Sequence, residues 1–348
     1  GVMFYVLTAL RKYLRDHNCL PSPEPNLGNL LDLVALGTVA DVVPLDHNNR
    51  IFVEQGIRRI RKGEARPGIL ALLEVAGRDY TEISATDLGF VVGPRLNAAG
   101  RLDDMSIGIA CLLADSRDEA QRLARELDNF NRERRSIEKE MKTQAQDLLA
   151  AMSLDLEGLP WGLALFDDDW HQGVIGILAA RIREQTHRPT IAFAPDDDGE
   201  HLKGSARSIP GLHIRDALAV VDAKNPGLMK KYGGHAMAAG MSIARTDLER
   251  FSNAFDQAVR DTLQAEDLEA AITTDGPLAP EELSLDTAYL LKRAGPWGQH
   301  FPEPVFDGNF RVVSQRIVGE NHLKLVLQPV EGGGIIDGIA FNTGPEVP

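Results

Sequence analysis

A mixed α/β fold followed by a β-rich tail is what this sequence predicts, on three observations. From about Leu154 to Leu263, short strand-like runs alternate with helical ones, the pattern of a compact α/β domain. From Ser116 to about Met152, leucines, alanines and charges recur at helical spacing with no proline or glycine between them, which reads as one long, partly exposed helix. After about Ala271, strand-like runs separated by glycine turns suggest a small antiparallel barrel.

The first 115 residues read as short helices joined by tight turns. Asn29 to Val43 is apolar, interrupted by Gly37 and closed by Pro44. Arg50 to Lys62 has helical spacing, and Pro67 opens another helix, as proline can at a first helical position. Thr81 to Leu88 leads into Gly93-Pro94-Arg95. Ser116-Arg117-Asp118-Glu119 is a capping-box pattern and starts the long helix, a connector between domains. In the α/β stretch, strands are expected over Gly162–Phe166, Pro189–Ala194, Leu202–Arg207 and Met241–Ala244. Helices are expected over Gly173–Arg181, Ile214–Val221 and Thr246–Leu263, the last capped by Thr246. In the tail, Phe306–Phe310, Arg311–Val318, His322–Val330 and Ile335–Phe341 look like successive strands, for which the oligonucleotide-binding barrel is one candidate. Four regions follow: residues 1–115, the connecting helix 116–153, the α/β domain 154–268 and the tail 269–348.

A hydrophobic content of 43% and a charged content of 25% over 348 residues describe an ordinary globular chain. No apolar stretch is long enough to span a bilayer and no secretory leader opens the chain. The two cysteines, Cys19 and Cys111, sit in apolar surroundings in the sequence and read as reduced core thiols of a cytoplasmic protein. The net charge of −14 argues against a non-specific nucleic-acid coat protein, but leaves room for an enzyme with positive potential confined to one groove. Basic clusters occur at Arg58, Arg59, Arg61, Lys62 and Arg66, at Arg132, Arg134 and Arg135, and at Lys230 and Lys231. The second alternates with Glu133, Glu138 and Glu140 and reads as an ion-paired helix face. The chain opens at Gly1 in an apolar run and stops soon after a strand-like run, so a fragment is expected.

The chemistry concentrates in a few glycine-bearing runs. In Tyr232-Gly233-Gly234-His235-Ala236-Met237-Ala238-Ala239-Gly240, two glycines free to take positive φ can aim amides at an oxyanion, with His235 donating to the same group. The plainer alternative is a tight turn into a small-residue helix. In Gly204-Ser205-Ala206-Arg207-Ser208, strand alternation puts Ser205 and Arg207 on one side, a hydroxyl and a guanidinium suited to a terminal phosphate. Asn97 and Arg101 lie one helical turn apart and suit a phosphate, unless Arg101 pairs with Asp103 or Asp104. Arg95 is a further phosphate candidate, and His171 beside Trp170 is either a helper or a hydrogen-bonded core histidine. Asp41, after Gly37-Thr38-Val39-Ala40, needs a partner to sit at an apolar segment's end, or else caps the next turn. Trp297 and Phe301 offer base stacking or an aromatic core.

Taken in order, these motifs resemble the RecJ family of single-strand-specific exonucleases, among the phosphoesterases named for an Asp-His-His motif. The resemblance rests on the runs at Gly37–Asp41, Gly93–Leu102, Trp170–Gly173, Gly204–Ser208 and Gly233–Gly240, on Gly295-Pro296-Trp297-Gly298 and on Phe301-Pro302-Glu303-Pro304, and it covers essentially the whole chain. It implies the remnant of an Asp-His-His catalytic domain, a connecting helix, an associated α/β domain and an incomplete oligonucleotide-binding barrel. It implies that Asp41 is a ligand of Mn²⁺ or Mg²⁺ and, with His235, catalytic, and that Arg95, Asn97, Arg101, His171, Ser205, Arg207, Gly233, Gly234 and His235 bind phosphate or DNA. The Asp-His-His motif itself is not in this sequence; Asp46-His47-Asn48 is the nearest string and lies in the wrong place. The expected activity is metal-dependent 5′-to-3′ digestion of single-stranded DNA in recombination and repair, by a monomer, with this fragment inactive alone. The implied partners are single-stranded DNA, a single-strand-binding protein and a RecQ-type helicase, with no membrane. Alternatives are a phosphodiesterase acting on short oligonucleotides or cyclic dinucleotides, and a non-catalytic single-strand-binding scaffold.

Overall fold

Proline or serine marks the start of several helices. The computed structural model describes residues 1–102, 105–151, 158–319, 321–341 and 343, with 101–102, 138, 142 and 144–151 described by backbone alone. Helices α1 (Val2–Asp16), α2 (Leu31–Ala40), α3 (His47–Arg61), α4 (Pro67–Val75), α5 (Ala85–Asp87), α6 (Gly93–Leu102), α7 (Ser106–Leu113) and the long α8 (Arg117–Ala151) come first. Then follow β1 (Leu163–Phe166), α9 (Ile175–Thr186), β2 (Thr190–Pro195), β3 (His201–Arg207), α10 (Ile214–Lys224), β4 (Met229–Gly234), β5 (Ala238–Ala244) and α11 (Leu248–Arg260). Helix α12 (Leu285–Ala294) and strands β6 (Phe310–Val318), β7 (His322–Pro329) and β8 (Ile336–Ala340) close the chain. Pro67 occupies the first turn of α4, and the Ser116 hydroxyl accepts the Glu119 amide at 3.2 Å ahead of α8. The chain divides into two units, Gly1–Arg134 with Thr273–Pro348, and Arg135–Ile272. The expected border at 153–154 lies outside the described residues.

In the first unit the core gathers apolar faces from α2 to α8, including Leu36, Ile57, Leu72, Leu88 and Leu127. Helices α2 and α3 approach closely because Gly56 carries no side chain; a Cβ there would stand 2.2 Å from the Leu31 carbonyl oxygen. Helix α2 ends in a Schellman motif, with the Val42 amide donating to Val39 O at 3.1 Å and Val43 to Thr38 O at 3.0 Å. That geometry needs a left-handed residue after the cap, usually glycine, yet a β-branched valine holds φ +53°. Val42 is 64% exposed, so little packing offsets the strain. Val42→Gly is expected to raise the unfolding free energy by about 1 kcal/mol, read from urea midpoints; an unchanged or lower midpoint would contradict the strain.

The segment after α12 clasps the α2–α3 corner. Leu45 donates its amide to Gln299 O at 2.7 Å, and Gly298 lies against the Leu45 side chain. Trp297 and Phe301 stack on one another at 5.2 Å, Trp297 Nε1 donates to Leu291 O, and the Arg50 guanidinium lies 3.6 Å from the Phe301 ring centroid. Their rings are engaged in packing, which favours the aromatic core over base stacking. Strands β6, β7 and β8 form an antiparallel sheet in that order, open among the described residues. Helix α12 departs from the all-strand tail expected, although Ser284 caps it by accepting the Thr287 amide. Cys111 is buried, which pushes its thiol up to about 11. Cys19, in the turn after α1, is exposed, contrary to the expectation of a core thiol.

The second unit is a five-stranded sheet ordered β1-β2-β3-β5-β4, parallel between β1 and β2 and antiparallel elsewhere. Helices α10 and α11 bury one face, where Phe193, Leu202, Ala206, Met241 and Ile243 meet Leu218, Phe251 and Phe255. Gly204 belongs to that packing, since a Cβ would stand 2.5 Å from Met241 Sδ and Phe193 Cε1. Helix α9 packs Ile175, Leu178, Ala179 and Ile182 over Leu163, Ala192 and Ala194 on the other face. Helix α11 starts after a 3₁₀ turn at Arg245–Asp247, so Asp247, not Thr246, stands at its N-cap. No helix among the described residues is long and apolar enough to cross a membrane.

Candidate nucleic-acid interface

Sheet register assembles the most distinctive group of polar side chains. Ala192, Ser205, Gly240 and Gly233 pair in one row across β2, β3, β5 and β4, and Thr190, Arg207 and Ala238 form the next. Paired residues point to the same side, so Ser205 and Arg207 share the face on which α9 sits. Gly233 and Gly240 are exposed beside them.

Arg207 Nη1 donates to Ser205 Oγ at 3.1 Å and to Ala206 O at 2.8 Å. Because the Ser205 oxygen accepts, its own proton remains available to another acceptor. Gly176, second residue of α9, makes room for this pair: a Cβ would stand 3.0 Å from Arg207 Nη2 and 3.2 Å from Ser205 Oγ. Arg207 is half-buried and, among the described residues, pairs with no carboxylate. Burial first, and the Arg183 guanidinium second, hold its pKa below the usual arginine value, though not enough to discharge it. A desolvated cation with unspent donors, a free hydroxyl proton and a helix N-terminus together suit an oxyanion.

His171 stands in the loop that opens α9, its neighbour Trp170 is buried, and Gln172 Nε2 donates to Pro195 O at 3.1 Å. Its Nδ1 accepts the Gly173 amide at 3.2 Å, which leaves Nε2 as the N–H of the neutral ring. His171 is exposed, which rules out the core-histidine alternative. His235 is exposed too, and its amide donates to Ala238 O at 2.8 Å.

The run Tyr232–Gly240 corrects an expectation. It forms two strands and a hairpin, not a nest of amides and not a turn into a helix. Gly233 lies within β4 without positive φ, and a Cβ on it would meet nothing. Gly234 takes φ +152°, and a Cβ there would strike Ala238 O at 2.4 Å. Close strand pairing, not anion cradling, requires the second glycine. The hairpin tip is tied down, with Ser208 N donating to Met237 O at 3.0 Å and Ile214 N to Ala236 O at 2.9 Å.

The other candidates lie in the first unit. Asp41 ends α2, exposed and, among the described residues, without a side-chain partner. Its neighbour Ala40 packs against Gly93, where α6 begins. Helix α6 carries Arg95, Asn97 and Arg101; Asn97 is exposed, and the Arg101 side chain, like Asp103 and Asp104, lies outside the described residues. Arg95 departs from the phosphate role expected of it. Its Nε and Nη2 both reach Asp128 Oδ1 at 2.9 Å, and Nη1 donates to Val91 O at 2.8 Å. All three nitrogens are thus engaged, at 13% side-chain exposure against 5% for Asp128.

Among the described residues no three His, Cys, Asp or Glu side chains converge to hold a metal. Asp41 offers one carboxylate, which alone does not make such a site. Gly176 and Arg183 were not singled out from sequence. Their signal is the spacing Gly176-Ala180-Arg183, which lines one face of a helix.

Residues 159–261 match the DHHA1 domain and residues 274–348 the RecJ OB domain. The chain is 56% identical over 345 residues to the single-stranded-DNA-specific exonuclease RecJ of Escherichia coli, covering 98% of this chain and 60% of that protein. It is 30% identical to the RecJ of Thermus thermophilus, covering 98% of this chain and 49% of that one. The crystal structure of Thermus thermophilus RecJ in complex with Mg²⁺ superposes with a TM-score of 0.69 at 29% identity, over 94% of this chain and 48% of that one. This chain therefore spans about 60% of the length of the enterobacterial relatives it matches.

Proposed function

The chain belongs to the RecJ family, and from that premise we propose that it works within a metal-dependent 5′-to-3′ single-stranded-DNA exonuclease of recombination and repair, for which it supplies the site that seats a strand phosphate. The observation that carries this is the half-buried Arg207 guanidinium, hydrogen-bonded to Ser205, facing Gly176 and, among the described residues, lacking a carboxylate. A guanidinium already desolvated and held in place loses little ordering entropy when a phosphate arrives. Arg207 and Ser205 bind the anion, His235 and His171 donate from the rim, and Gly233 leaves the sheet surface low enough for a strand to lie close. In the intact protein Asn97 and Arg101 meet phosphate and Asp41 is one ligand of a Mn²⁺ or Mg²⁺ site, in keeping with the Mg²⁺ and Mn²⁺ complexes of Thermus thermophilus RecJ. A divalent ion there would supply an activated water and charge stabilisation. Exposed Phe310 and Phe341 of the tail give stacking surfaces for bases. Single-stranded DNA is the principal partner, a single-strand-binding protein and a RecQ-type helicase are further ones, and the protein acts as a monomer in the cytoplasm.

The test is digestion of 5′-phosphorylated single strands with Mn²⁺ by this chain and by a full-length version. The full-length protein is expected to release nucleotides from the 5′ end, and this chain to bind strands without cutting them. A full-length protein that binds but never cuts would make it a scaffold. One that prefers dinucleotides to long strands would make it a short-oligonucleotide phosphodiesterase.

A further inference from the structure

We propose that Arg183 is a second guanidinium of the Arg207 site, binding a phosphate of the strand alongside it; the inference rests on the reading of Arg207 given above. Helix α9 turns one face toward β3, as the closeness of Gly176 to Arg207 Nη2 and Ser205 Oγ requires. Positions 180 and 183 continue that face, so Arg183 stands about 10 Å further along the helix axis than Gly176. A long helical side chain leans toward the N-terminus of its helix, so the Arg183 guanidinium is carried back in the direction of Gly176. The Arg183 side chain is 29% exposed, and its Nε is buried without a hydrogen-bond partner. Its one neighbouring carboxylate among the described residues, Glu184, lies 3.6 Å away and is held more tightly by Arg181, at 2.6 Å. Arg207, for its part, has no carboxylate among the described residues and feels the Arg183 charge. Two under-neutralised guanidiniums near one another are unfavourable in an apolar setting. An anion shared between them removes that cost, and a phosphate offers enough oxygens for both forks.

The experiment measures binding of this chain to fluorescent single strands carrying a 5′-phosphate or a 5′-hydroxyl, across a salt series. Arg183→Gln, Arg183→Lys and Arg207→Ala are compared with the unaltered chain. Arg183→Gln keeps the stem and removes the charge; it is expected to weaken binding about tenfold and to lower the salt slope by about 0.7. Arg183→Lys is expected to recover most of both, which a purely structural role would not produce. A loss confined to 5′-phosphorylated strands assigns the terminal phosphate, and an equal loss on both strands assigns an internal one; either supports the proposal. Unaltered affinity and slope in Arg183→Gln, with binding lost in Arg207→Ala, would overturn it and leave the Arg207 reading intact. Unaltered binding in both variants would overturn the reading of the site itself.

Discussion

Arg207→Ala is expected to weaken binding of a 5′-phosphorylated single strand about 100-fold while leaving the protein as stable as before. The magnitude follows from the hydrogen bonds this guanidinium would give to a phosphate. A charge-assisted hydrogen bond of that kind is worth about 1.5–3 kcal/mol, and about 2.7 kcal/mol corresponds to 100-fold. The stability half follows from what Arg207 does not do. It closes no ion pair among the described residues, and it is half-buried. Removing it leaves no partner charge buried and unpaired, so the frame keeps its stability. Fluorescence anisotropy against strands with and without the phosphate reads the first half, and a thermal melt the second. A large drop in melting temperature with undiminished affinity would mean that Arg207 belongs to the frame and not to the ligand.

Arg95→Met is expected to do the reverse, lowering stability by about 3 kcal/mol and leaving strand affinity in the folded protein unchanged. Arg95 and Asp128 are nearly water-free, and deleting one partner strands the other's charge in a low-dielectric setting. Arg132, at 2.7 Å from Asp128 Oδ2, offsets part of that loss. The pair joins α6 to α8 across the core of the first unit, so the urea transition of that unit is the one to follow. The double variant Arg95→Met with Asp128→Leu should regain most of the loss, because two apolar residues leave no orphaned charge. An unchanged midpoint with impaired strand binding would instead return Arg95 to the phosphate.

These two arginines show where the sequence was readable and where it was not. Ser205 and Arg207 alternate along a strand, and alternation is a local rule, so their shared side followed from spacing alone. The partner of Arg95 lies 33 residues away on another helix, and no local rule announces such a pairing. Pro67 and Ser116 marked helix starts because their effects act within one turn. Gly233-Gly234 misled for the opposite reason. Glycine permits both a nest of amides and tight strand pairing, and only the opposing Ala239 selects between them. Ser284 carried a start signal for α12, but the β-rich composition around it spoke louder. Cys19 looked apolar in sequence, and whether an apolar neighbourhood is covered depends on packing that spacing does not encode.

The tethered hairpin beside His235 has a consequence for repetition in the proposed exonuclease. Its tip carbonyls are gripped by backbone amides on either side of the turn that leaves β3, so the backbone that carries His235 is tied to the strand that carries Arg207. If the proposed exonuclease acts, each newly exposed terminus of a shortening polymer would then meet the same template as its predecessor.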